Sequence, residues 1–103
     1  MELNHSSRRL NLCAHVQSIA FMTHVLEICV DSLTSARNAV LGGASRLEVC
    51  SALHVGGLTP SWGLVQSIQQ MILEMQSNQT IPLHVMLRCR PGDFLYSPDE
   101  MQV

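Results

Sequence analysis

Three short runs of strand-forming residues, separated by stretches of helical periodicity, constrain this chain more than any other feature. Residues 25–30 (VLEICV), 46–51 (RLEVCS) and 81–87 (IPLHVML) are brief, apolar and rich in β-branched side chains, as strands are. Between the first two, Asp31 or Ser32 can cap a helix whose apolar positions are Leu33, Ala36, Ala39 and Val40, with Gly42-Gly43 to end it. Between the second and third, a Gly56-Gly57 loop leads to Thr59, expected as N-cap, with Pro60 at the first helical position. The helix that follows carries Leu64, Val65, Ile68, Met71, Ile72 and Met75 on one face and closes over Asn78-Gln79-Thr80. After a loop from Arg88 to Tyr96, the run Ser97-Pro98-Asp99-Glu100 reads as the start of a third helix. Strands alternating with helices pair in parallel through right-handed crossovers. The fold class expected is α/β: about the first three βα units of a partial TIM (β/α)8 barrel, because a complete one needs about 250 residues and this chain has 103.

Composition narrows the function classes. Apolar residues make up 47% and charged residues 14%, which suits a packed core and excludes a disordered chain. All six basic residues are arginines, set against eight acidic ones, for a net charge of −2. No basic stretch beyond Arg8-Arg9 and only four aromatic residues argue against nucleic acid as a partner. No apolar run approaches a bilayer span, so no membrane partner is expected. Residues 1–24 read as a separate, poorly ordered N-terminal extension, and residues 25–103 as the domain. Arg8-Arg9 and the apolar stretch after it imitate a secretory signal, but Asn11, His15 and Gln17 interrupt it and no cleavage site follows. The four cysteines, at 13, 29, 50 and 89, form no C-x-x-C. They suggest reduced thiols and a reducing compartment; the location expected is cytoplasmic, with the nucleus as an additional one.

Alternation along the strands separates two faces. Leu26, Ile28, Val30, Leu47, Val49, Leu83, Val85 and Leu87 form an aliphatic face to pack under helices. Glu27, Cys29, Asp31, Arg46, Glu48, Cys50, His84, Met86 and Arg88 form the other. Inward charges are costly unless paired. They either satisfy one another or line a polar cleft at the strand ends, where a barrel of this kind carries its chemistry. Glu-x-Cys occurs twice, 21 residues apart, at Glu27/Cys29 and Glu48/Cys50. Adjacent parallel strands would bring Cys29 and Cys50 together on one face. With Met86 or His84 they make a soft donor set of the kind that selects Cu(I); buried small hydrophobes are the structural alternative. Arg88 and Arg90, with Gly92 and Asp93, could hold a carboxylate or phosphate, or pair with Glu27, Glu48 or Asp93.

Four collinear pieces, residues 26–32 (LEICVDS), 42–51 (GGASRLEVCS), 56–61 (GGLTPS) and the segment from Ile81-Pro82 through 92–97 (GDFLYS), resemble the CutC copper homeostasis family. The resemblance covers about residues 25–103. It implies a cytosolic TIM-barrel protein of copper handling that binds Cu(I), with Cys29 and Cys50 as the metal ligands. It further implies a cleft lined by Glu27, Asp31, Glu48, Arg88, Arg90 and Asp93. No catalytic residue follows from it. The expected partner is a copper ion, and a homo-oligomer is compatible with the reading. The alternatives are a TIM-barrel enzyme acting on a small anionic substrate through Glu27, Glu48 and Arg88, or an inactive truncated form of marginal stability. The family's third loop reads Arg-Pro-Arg-x-Gly-Asp-Phe, where this chain has Cys89 in place of the first proline and Pro91 at the x position. That weakens the case for anion binding there and adds a further thiol.

Overall fold

The structure is a computed structural model that describes residues 24–75 and 80–102. The expected extension over residues 1–24 falls outside these apart from His24, as does the end of the second helix at residues 78–79. Strand β1 is Glu27–Val30, helix α1 Leu33–Leu41 and strand β2 Arg46–Val49. A 3-10 turn at Leu53–Val55 follows, then helix α2, Trp62–Glu74, and strand β3, Leu83–Val85. The strands form one parallel sheet in the order β1-β2-β3. This is the α/β arrangement of consecutive units in a barrel wall, left open.

Local chemistry explains the helix starts. The Ser32 hydroxyl accepts from the Ser35 backbone N–H at 3.0 Å, and the Ser35 hydroxyl accepts from that of Ser32 at 3.1 Å, a reciprocal cap. The second helix begins later than expected. Its N-cap is Ser61, whose Oγ accepts from Leu64 N at 3.1 Å, and Pro60 is buried just before it. Thr59 is not the cap because its hydroxyl is engaged across the sheet: it accepts from Arg88 N at 2.9 Å and donates to Arg88 O at 3.2 Å. The expected third helix is present as its first turn. Ser97 Oγ accepts from Glu100 N at 3.2 Å, Glu100 Oε2 accepts from Ser97 N at 2.8 Å, and Met101 N donates to Ser97 O at 3.1 Å.

The core lies between one sheet face and the two helices. Val30, Ala36, Leu47, Val49 and Ile68 are fully buried, and Val65, Met71 and Ile81 nearly so. The aliphatic face is covered unevenly. Leu26, Val85 and Leu87 are exposed, while Ile28 and Leu83 are partly buried against the core. Ser45 anchors the start of β1: its buried hydroxyl accepts from Leu26 N at 2.7 Å and donates to Leu26 O at 3.2 Å.

Candidate functional site

The register decides which polar side chains meet. Glu27 lies opposite Arg46, Cys29 opposite Glu48, and Glu48 opposite His84. Partners on β1 and β2 are therefore 19 residues apart, not the 21 of the Glu-x-Cys repeat. Glu48, and not Cys50, is the residue directly across from Cys29. Cys50 stays on the same face one inward position further along.

Three sets of contacts follow. At the lower end Glu27 Oε2 pairs with Arg46 Nε, and His84 Nδ1 approaches the same carboxylate oxygen at 3.5 Å. One carboxylate thus links three strands, and the inward charge of Glu27 is compensated. In the middle, the Cys29 thiol donates to Glu48 Oε2 at 2.9 Å. That bond holds the Cys29 pKa up, to about 11, with desolvation and the negative charges of Glu48, Cys50 and Glu27 acting in the same direction. Cys50 is 1% exposed. Burial, then Glu48, Asp31 and Glu27, push its thiol up as well. Both thiols therefore rest protonated in a field of carboxylates, a field that favours a cation over a thiolate's own negative charge. At the upper end Gly57 fits closely over Cys50 and Met86. A Cβ there would sit 3.2 Å from Met86 Cε and 3.5 Å from Cys50 Sγ, and the glycine's φ of +94° is one that other residues rarely adopt. The Met86 thioether and the Cys50 thiol are thus brought against the same backbone.

The loop arginines separate into two roles. Arg90 donates through Nε to Glu100 Oε1 at 2.6 Å, through Nη2 to Leu95 O at 2.8 Å and through Nη1 to Asp93 Oδ1 at 3.4 Å. Its guanidinium lies over the Tyr96 ring, 5.2 Å from the centroid. Glu100 is held below the usual carboxylate range, first by Arg90 and then by Ser97 N, and Asp93 by Leu95 N and Arg90. Arg90 and Asp93 therefore satisfy a loop. Arg88 points elsewhere: Nη1 donates to Val55 O at 2.7 Å and Gly57 O at 3.3 Å, and Nη2 to Gly92 O at 3.3 Å. Phe94 packs on its face at 4.9 Å. Arg88 ties the loop after β2 to the loop after β3.

Of the expected site residues, Cys29 and Glu48 are in direct contact, while the Cys50 thiol lies 3.9 Å from the Glu48 backbone oxygen and feels the Asp31 charge. Glu27 is engaged by Arg46, and Arg90 and Asp93 by each other and Glu100. Cys89 lines a cavity beside Leu87 and Tyr96. Among the described residues no three of His, Cys, Asp and Glu converge as a metal cage would require. The sequence reading missed the part played by Glu100. Its Ser-x-x-Glu spacing was legible as a cap, but nothing local connects it to Arg90, ten residues earlier. No helix among the described residues is long and apolar enough to cross a membrane.

Comparison with known proteins gives one answer. The chain matches the family model described as the CutC family over residues 24–103. It is 57% identical over 76 residues to the copper homeostasis protein cutC homolog of Caenorhabditis elegans, covering 74% of this chain and 28% of that protein. It is 49% identical over 79 residues to the homolog of Homo sapiens, covering 77% and 26%. The chain thus spans less than a third of the length of these curated relatives. Among solved structures, a protein of Streptococcus agalactiae assigned to copper homeostasis as CutC aligns with a TM-score of 0.61 and 35% identity. That alignment covers 75% of this chain and 35% of the other. The order of strands, the polar face and these matches agree, and the chain belongs to the CutC family.

Proposed function

We propose that this chain contributes to copper handling by binding Cu(I) as cargo through Cys29 and Cys50. The observation that carries the reading is that Cys29 and Cys50 stand on the polar face of neighbouring strands, with Cys50 and the Met86 side chain both packed close to Gly57. This donor set fits Cu(I): sulfur ligands select soft metals, and the harder divalent ions prefer oxygen and nitrogen. The carboxylates of Asp31 and Glu48 add negative potential that a cation relieves, while that of Glu27 is already met by Arg46. Each thiol gives up its proton when the metal binds, and Glu48 Oε2 already stands as acceptor for that of Cys29. The free thiols Cys29, Cys50 and Cys89 suit the reducing cytoplasm.

An enzyme acting on an anionic substrate through Glu27, Glu48 and Arg88 has less support, because Glu27 is engaged with Arg46 and the Arg88 amino groups with backbone carbonyls. A Cu(I) titration of the full chain against a competing chelator, under reducing conditions, tests the reading. Cys29→Ser and Cys50→Ser should each weaken binding by at least about a hundredfold, the upper end of what loss of an outer-shell partner costs a metal site. Unchanged affinity in both variants, with unchanged circular dichroism, would refute the assignment.

A further inference from the structure

Among the described residues, the polar face of the sheet is open except at one side chain. Glu27, Arg46, Glu48 and Met86 are half-buried, and Cys29, Asp31 and His84 are exposed. Cys50 alone on this face is fully buried. The helices do not bury it, because they pack on the aliphatic side and Cys50 is not part of that core. Its cover therefore lies on its own side of the sheet. The loop between β2 and α2 supplies it: Gly57 is itself buried, and a Cβ there would sit 3.5 Å from Cys50 Sγ.

This loop is a separate body. Its tip is closed on itself: Gly57 N donates to Ala52 O at 3.2 Å, Val55 N to Ala52 O at 3.0 Å and Gly56 N to Leu53 O at 3.0 Å. At its base Ser51 and Leu58 exchange backbone bonds of 2.8 and 2.7 Å. Among the described residues, the hydrogen bonds that tie the tip to the rest of the chain come from one side chain. Arg88 Nη1 donates to Val55 O at 2.7 Å and to Gly57 O at 3.3 Å. The base has its own tie, Thr59 to the Arg88 backbone, which no change of the Arg88 side chain removes. The loop is shaped for these contacts. A Cβ at Gly56 would stand 3.2 Å from Arg88 Nη1. Where the tip leaves β2, Ala52 is held at a φ of 48°, a left-handed conformation that persists in a non-glycine residue only where its surroundings impose it.

We propose that residues 52–57 form a hinged cover over Cys50, with Ala52 at the hinge and Arg88 as the latch. The cover stands on geometry alone. What it admits rests on the copper reading above: the exposed Cys29 receives the ion first, and Cys50 joins when the latch opens.

Site-resolved alkylation of the full chain at one fixed pH, followed by mass spectrometry, tests the cover, each thiol being compared with itself between variants. Arg88→Met keeps an apolar stem beside Phe94 and removes every donor. Cys50 should then react about tenfold faster, the effect on a local opening equilibrium of losing hydrogen bonds of ordinary strength, while Cys29 is unchanged. Loss of the positive charge by itself would disfavour the thiolate and slow the reaction, so acceleration reports opening. Arg88→Lys, which keeps a cationic donor, should restore part of the protection. An unchanged Cys50 rate in Arg88→Met overturns the proposal. If Cys29 accelerates together with Cys50, the sheet itself has loosened and the wild type decides. A Cys50 rate that is flat in low urea then supports a cover opening by itself, and one that climbs as steeply as global unfolding overturns it. Transfer of Cu(I) from a coloured chelate under reducing conditions separates the two readings. Faster capture by Arg88→Met supports entry through the cover. No capture by either protein overturns the copper reading, and the alkylation result decides the cover by itself.

Discussion

Cys29 is an exposed thiol that its neighbour keeps unreactive. Its bond to Glu48 raises its pKa from 9.0 to about 11, and the thiolate is the species that reacts. The folded chain therefore holds this proton more tightly than the unfolded chain. The resulting stabilisation is complete below 9.0 and is lost as pH rises through about 11. Alkylation of Cys29, followed by mass spectrometry, should stay slow until the pH approaches that upper value. Glu48→Gln removes the charge and leaves only a neutral amide oxygen as acceptor, and the alkylation rate near pH 9.0 should rise about tenfold. An unchanged rate would show that Glu48 does not restrain the thiol. The facing of this residue was legible from alternation alone. Its direct partner was not, because a strand pattern gives parity and leaves register to the packing.

The elements follow the same division. Strand and helix order could be read from apolar spacing, since α1 and α2 bury the faces their periodicity marks. The start of α2 could not, because Thr59 and Ser61 are both good caps by type. Thr59 is drawn off by the Arg88 backbone, a contact between positions 29 residues apart. Ser61→Ala should therefore destabilise the chain by about 1 kcal/mol in chemical denaturation, the usual cost of a lost N-cap. Thr59→Ala should chiefly release the loop that begins at Arg88, seen as faster amide exchange at Arg88. If Ser61→Ala costs nothing while Thr59→Ala shortens α2, the cap is misassigned. The turn after Ser97 depends on charge as well. Glu100 is held below its ordinary value of 4.5, so its contribution is present above 4.5 and is lost as pH falls through the lower, folded value. The Ser97 amide resonance, bonded to Glu100 Oε2, should shift through that acid range, and Glu100→Gln should abolish the shift.

At the scale of the molecule, the sheet is half covered. A groove of about 650 Å³ runs beside β3, lined by Trp62, Ile72, Leu73, Pro82 and Val85. Trp62 is 72% and Leu73 69% exposed. Apolar patches of this kind, next to a strand edge, promote association. Sedimentation of the chain should show self-association that grows with concentration, and Trp62→Glu should weaken it. A strictly monomeric wild type would show that the groove is tolerated by an isolated molecule. The α/β pattern was visible in the sequence, yet the uneven cover of the aliphatic face was not, because Val85 and Leu87 look as core-bound as Val49 and Leu47. The 19-residue pairing of β1 with β2 has one more consequence. The aliphatic side is almost indifferent to sliding one strand by two residues, since a branched side chain would replace another. The polar side is not. Such a slide would align the two Glu-x-Cys segments as their repeat suggests, setting Glu27 against Glu48 and stripping Arg46 of its partner. The face that carries the chemistry thus also keys the alignment, as the notches of a ratchet hold a bar that is smooth on its other side.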